Sequence, residues 1–216
     1  MTTGTSTLPQ TLLQRSWQRA CLGLGATPDE ALFGRLLDAY REPQRHYHTL
    51  QHLSECIALL EPALPLAEHA GEVEFALWFH DAVYEIGRHD NELVSAQWAS
   101  RAALELGGDP ASAARIDALV MATLHAAEPA TRDAQLLVDV DLCILGASSD
   151  RFDQYEVQVR AEYADVPDEI FRPRRRALLQ TFLARPMIYG TPHFRALREG
   201  AARDNLKRSI AALAQV

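Results

Sequence analysis

The sequence predicts an all-α fold. Three observations carry that expectation: nearly every segment between chain breakers repeats apolar residues at three- and four-residue spacing, alanine and leucine supply most of them, and runs of β-branched residues are scarce. A single-domain bundle of about nine or ten helices over residues 1–216 is the expected architecture, with a core at about 40–146 and C-terminal helices over 150–216 packed on it.

Each element has its own local signals. The first helix is expected from about Pro9, a favoured first-turn residue, to Leu24, where Gly23 and Gly25 offer stops. Thr27-Pro28-Asp29-Glu30 starts a second, with Leu32, Leu36, Leu37 and Tyr40 on one face. After Glu42-Pro43, the string RHYHTLQHL leads into a helix ending near Glu61-Pro62. The next runs from about Glu72 to Tyr84 and is followed by a loop over Glu85–Asp90. Asp90 or Asn91 caps a helix that stops at Gly107-Gly108, and Asp109-Pro110 opens one reaching His125. Glu128-Pro129 breaks the chain before AQLLVDVDLCIL, an apolar run that carries Asp139 and Asp141 and closes at Gly146. An amphipathic helix over Asp150–Tyr163, another over about Arg174–Leu183, and a last one from Thr191-Pro192 to Val216 complete the chain.

Composition narrows the function. A net charge of -8 argues against a nucleic-acid polymer as partner, because phosphate binding needs a concentrated positive field. The basic cluster at Arg172, Arg174, Arg175 and Arg176 reads as a solvated helix face. Cys21, Cys56 and Cys143 are odd in number and lack any CxxC pairing, which suggests buried thiols in a reducing compartment. The N-terminal MTTGTSTLPQ has neither the basic region nor the apolar core of a signal peptide, and no apolar run approaches the roughly 20 residues that span a bilayer. A cytoplasmic protein without membrane contact, monomeric or homodimeric, is expected.

The stretch FALWFHDAVYEIGRHDNE carries the chemistry. An apolar run delivers His80 and Asp81 together to a helix end, a costly place for polar side chains unless something binds them. Asp139 and Asp141 pose the same question within their own apolar run. His48 and His52 are four residues apart, so both could project from one helix face. Taken together, His52, His80-Asp81 and Asp141 bring imidazole and carboxylate from three helices, a donor set suited to divalent Mn, Fe, Co, Ni, Zn or Mg and one that leaves positions open for water and substrate. His48 competes with His52 for the first place; His52, further inside the helix, is preferred. Asp139, two residues from Asp141, points elsewhere on the helix and reads as a cap or ion-pair partner.

The order H, then HD, then D on a helical chain resembles the HD superfamily of metal-dependent phosphohydrolases. The strings RHYHTLQH, WFHDAVYE, DNELVSA, DVDLCILG and IYGTPHFRALREGAARDNL are similar to one bacterial subgroup, described only as predicted HD superfamily phosphohydrolases. The similarity runs from about Tyr40 to Leu206. It implies that His52, His80, Asp81 and Asp141 hold the metal and that the substrate is a small phosphoester such as a nucleotide.

A divalent ion would lower the pKa of a bound water toward about 7 and polarise a phosphoryl oxygen. Proton handling then needs a carboxylate: Glu85, four residues past Asp81, is the first candidate, with Glu92 and Asp90 behind it. Glu92 also suits the first turn of its helix without any catalytic role. Cationic contacts for phosphate are expected from Arg45 and Arg88, which flank the ligand strings, with His48 beside the metal as a further substrate contact. Arg203 and Lys207 are further cations; Arg203, with Asn205, equally fits a tie between the last helix and the core. Tyr47 and Tyr84 could stack on a base, though packing is the commoner fate of such rings. His125 reads either as a core histidine or as a ligand to a second metal. Two other functions compete: a di-iron oxygenase using His48 or His125, and a non-enzymatic module that binds a nucleotide and reports it to a partner.

Overall fold

The computed structural model describes residues 8–214. Among them are ten α-helices, two short 3-10 segments and no strand, so the all-α expectation holds. The chain forms two compact units, one ending at Leu137 and the other beginning at Val138. The division falls inside the seventh helix.

The first unit contains α1 (Leu8–Gly23), α2 (Glu30–Ala39), α3 (Leu50–Leu60), α4 (Ala70–Phe79), α5 (Asn91–Glu105), α6 (Pro110–Ala122) and the start of α7 (Arg132–Asp141). Several starts follow from the caps legible in the sequence. Asp29 accepts from the N–H groups of Ala31 and Leu32, and Asp109 from those of Ala111 and Ser112 with Pro110 in the first turn. After α3 the chain tightens into a 3-10 segment, Glu61–Leu66, where Pro62 and Pro65 remove two of the donors an α-helix would need.

The central element is α4. Every residue from Glu72 to Phe79 is buried, and the helix packs against α1, α3, α5 and α6. A helix buried on all sides has to be surrounded, which makes it the axis of the unit. Trp17, Phe33, Phe75 and Trp78 form an aromatic knot where α1, α2 and α4 meet, with ring centroids from 5.6 to 6.1 Å apart. Helices α1 and α4 touch backbone to backbone at Gly23 and Gly71, where a Cβ on either residue would lie 2.6 Å from the other's Cα. Buried Glu74 is satisfied at this contact by Ser16 at 2.6 Å and by Arg19.

The second unit contains the end of α7, a 3-10 segment Leu142–Gly146, then α8 (Ser149–Glu162), α9 (Asp168–Ala184) and α10 (Pro192–Ala214). Helix α9 starts six residues before the expected Arg174, directly after Pro167, with Asp168 and Glu169 in its first turn. Pro173 is carried inside the helix rather than preceding it. Helix α10 packs on α9 and on the 3-10 segment, where Asn205 Nδ2 bonds the carbonyls of Leu145 and Ala147, each at 2.9 Å. Arg203 reaches the carbonyls of Leu183, Arg185 and Pro186 and so ties α10 to the end of α9. No described helix is long and apolar enough to cross a membrane.

Candidate metal centre

Thr49 caps α3, its side chain accepting from the N–H of Gln51. His52 is therefore the third residue of the helix, while His48 lies in the turn before it and does not share a helix face with His52. His52 is buried. Both ring nitrogens lie near Cys56 Sγ one turn on, Nδ1 at 3.6 Å and Nε2 at 3.8 Å.

Helix α4 ends at Phe79, five residues short of the expected Tyr84, and His80 occupies its C-cap. The reason is tertiary. The Ala82 N–H closes a tight turn onto Phe79 O, the Val83 N–H is taken by Ser95 Oγ at 3.0 Å, and the carbonyls of Asp81 and Ala82 are taken by Arg45. With its hydrogen-bonding groups committed elsewhere, the backbone cannot continue as a helix.

At this helix end three donor atoms converge. His80 Nε2 lies 3.1 Å from His52 Nε2 and 3.0 Å from Asp81 Oδ2, and His52 Nε2 lies 3.4 Å from the same oxygen. His80 Nδ1 is 2.7 Å from Leu77 O. A carbonyl can only accept, so Nδ1 carries the hydrogen, and in the neutral ring Nε2 presents a lone pair. That lone pair faces a carboxylate oxygen at contact distance, an arrangement that calls for a cation or a shared proton. Metal-binding histidines commonly have their remote N–H fixed on a backbone carbonyl in this way, so the donor set fits a divalent ion. Burial by itself opposes ionisation of Asp81. When a proton rather than a cation sits between the rings and the carboxylate, the charged imidazoles of His80 and His48 and the hydrogen bonds from His52 and His80 outweigh burial and hold the carboxyl well below its usual range.

Around the three donors stands a second layer, of which the sequence left only Tyr40 unmarked. Tyr40, expected only as a core residue, donates to Trp78 O at 3.3 Å and accepts from the Asp81 N–H at 3.4 Å. Burial pushes its hydroxyl up to about 12, so it stays protonated and able to donate. Arg45, expected to contact phosphate, has a side chain with 0% exposure, and its donors go to Glu42 and to three main-chain carbonyls. Tyr84 stacks on His48 with centroids 4.0 Å apart, and Tyr47 packs against both His48 and His52. The only sequence signal for this layer is its position beside the ligand strings.

The other candidates lie on the loop after the centre. Glu85 is exposed, with its carboxylate 3.0 Å from Arg88 Nη1, and Arg88 also pairs with Asp90. Asn91 fastens this loop: its side chain accepts from the N–H of Glu85 and donates to the Glu85 carbonyl. Asp90 occupies the N-cap position of α5 but makes no side-chain capping bond. Glu92 stands in the first turn of α5. His125 is not on α6, which stops at Ala122; it sits in the following turn with φ 56°.

Asp141 belongs to the second unit, at the C-terminal end of α7 and the start of the 3-10 segment, and is partly buried. Asp139, two residues earlier, is the partner the sequence suggested: it accepts from Gly190 N at 2.6 Å, Thr191 N at 2.7 Å and Thr191 Oγ1 at 2.6 Å. Cys21, Cys56 and Cys143 are buried and are not joined by disulfides. Comparison with family models, curated proteins and solved structures found no match.

Proposed function

We propose that the chain is a metal-dependent phosphohydrolase acting on a small phosphoester such as a nucleotide, in a reducing cytoplasm that suits its buried free thiols. The observation that carries this reading is the convergence of His52 Nε2, His80 Nε2 and Asp81 Oδ2 within 3.4 Å of one another, with the His80 lone pair facing a carboxylate. The order H, HD, D that the sequence shares with HD phosphohydrolases makes Asp141 the remaining candidate ligand. Held there, a divalent ion would supply an acidified water and polarise the phosphoryl group.

The chain's own residues supply the rest. Arg88 is the donor for phosphate, and Glu85 is the base. In the resting protein the two are paired with each other at 3.0 Å on an exposed loop. Exposed pairs of this kind are weak, so an incoming phosphate can draw Arg88 away and release the Glu85 carboxylate to accept a proton. The His48 ring, stacked on Tyr84, forms a wall beside the ligands against which a base or sugar could lie. Purified protein loaded in turn with Mn, Fe, Co, Ni, Zn and Mg and offered nucleotides, cyclic nucleotides and simple phosphoesters should turn over at least one class. Inertness across the whole matrix would refute the reading.

A further inference from the structure

We propose that Arg45 is the positioning residue of the metal centre, setting the direction in which Asp81 and His80 are presented by gripping the backbone around them; the proposal rests on the metal reading above. Nη1 of Arg45 donates to Asp81 O at 2.5 Å and to His48 O at 3.3 Å, Nη2 donates to Ala82 O at 3.0 Å, and Nε is anchored by Glu42 Oε2 at 2.9 Å. The guanidinium is flanked by the rings of Tyr40 and Tyr84, at 5.4 and 5.6 Å from their centroids. One planar group thus joins the turn that leads into His52 to the segment that follows His80.

The grip matters because of where the carbonyls lie. In an unbroken helix, Asp81 O and Ala82 O would accept from backbone N–H groups four residues on, and α4 would run through the HD pair. By taking both carbonyls, Arg45 stabilises the turn that ends α4 at Phe79. The same bonds hold the His48 carbonyl, four residues before the His52 ring. Lysine could place one charge here but cannot span three carbonyls and a carboxylate in one plane. Phosphate capture then falls to Arg88, since the Arg45 donors are engaged within the fold.

The test is titration of metal-free protein with Co²⁺, recording both Kd and the visible absorption of the bound ion, alongside the melting temperature of the metal-free form. Arg45→Lys should raise the Co²⁺ Kd by about 10- to 100-fold, the range seen when groups supporting metal ligands are removed, and should alter the absorption bands. A residue that only packs the core would lower the melting temperature and leave the bands of the bound ion as they are in the wild type. Glu42→Gln keeps the guanidinium and loosens only its anchor, so it should raise the Kd several-fold, and it serves as the deciding variant if Arg45→Lys does not fold. A folded variant with wild-type Kd and bands overturns the positioning role alone. Wild-type protein that takes up no Co²⁺ overturns the metal reading, and the positioning role with it.

Discussion

Two aspartates, one in each unit, show how differently a carboxylate can be accommodated inside a protein. Asp139 is 1% exposed and meets three donors at 2.6–2.7 Å, all on Gly190 and Thr191. Its needs are met by neutral N–H and O–H groups, and it latches the start of α10 to the end of α7. Burial is the largest influence on its carboxyl and pushes it up, with the three donors pulling the other way. Asp81 instead faces two imidazole nitrogens across contacts that need a cation or a shared proton, and with the imidazoles protonated its carboxyl is held well below the usual range. A buried polar group that is fully satisfied reads as structure, whereas one set against other acceptors reads as a site awaiting a cation.

That contrast can be broken by mutation, beginning with the ligands. His80→Ala or Asp81→Ala should weaken metal binding by more than about a hundredfold and abolish turnover while the protein stays folded. Elemental analysis of the purified variants decides this, and full metal content in either would mean that the centre has been wrongly placed.

Glu85→Gln should separate chemistry from binding. Loss of a general base costs about 10²- to 10⁴-fold in rate, so kcat should fall by at least about a hundredfold with metal content and nucleotide affinity unchanged. Unchanged kcat would move the base to Glu92 or Asp90. If the wild type is stabilised by nucleotides without turning them over, the chain is a binding module rather than an enzyme.

Asp139→Asn should do the reverse of the ligand variants: lower stability by about 2 kcal/mol in chemical denaturation, because an amide N–H₂ is set against backbone donors, and leave metal stoichiometry alone. Loss of metal without loss of stability would erase the distinction between the two carboxylates.

The smallest effect is on pH dependence. A carboxyl raised in the folded state binds more protons there than in the unfolded chain, so its contribution to stability is present below the unfolded value near 4 and is lost as pH rises through the folded value. The stability gap between wild type and Asp139→Asn should accordingly be wider at pH 4–5 than at pH 7. A gap that narrows on acidification would contradict the upward shift at Asp139.

Much of the fold was legible in the residues. Asp29 and Asp109 cap α2 and α6 as their positions suggest, because a cap depends on atoms two or three residues away. The error nearest the site falls where a distant group intervenes. The end of α4 could not be read from FALWFHDAVYE, since what stops it is Arg45, some 36 residues earlier. His125 seemed to extend α6, yet the helix closes at Ala122 with Thr123 turned back onto Val120 O at 2.7 Å. The start of α9 lies six residues before the expected Arg174, directly after Pro167, with Pro173 carried inside the helix.

For the candidate site the division is equally clear. Residue type and order alone marked His52, His80 and Asp81, because imidazoles and carboxylates in apolar surroundings have few other uses. They also marked Asp139 as a partner-seeking side chain rather than a ligand. Tertiary structure alone decided that Arg45 is buried and grips the HD backbone, that Tyr40 bridges Trp78 and Asp81, and that Glu85 and Arg88 rest as a pair. Helix periodicity and capping are written in neighbours within four residues. The direction in which a ligand points is set by hydrogen bonds to residues far away in the chain, and no local pattern records those.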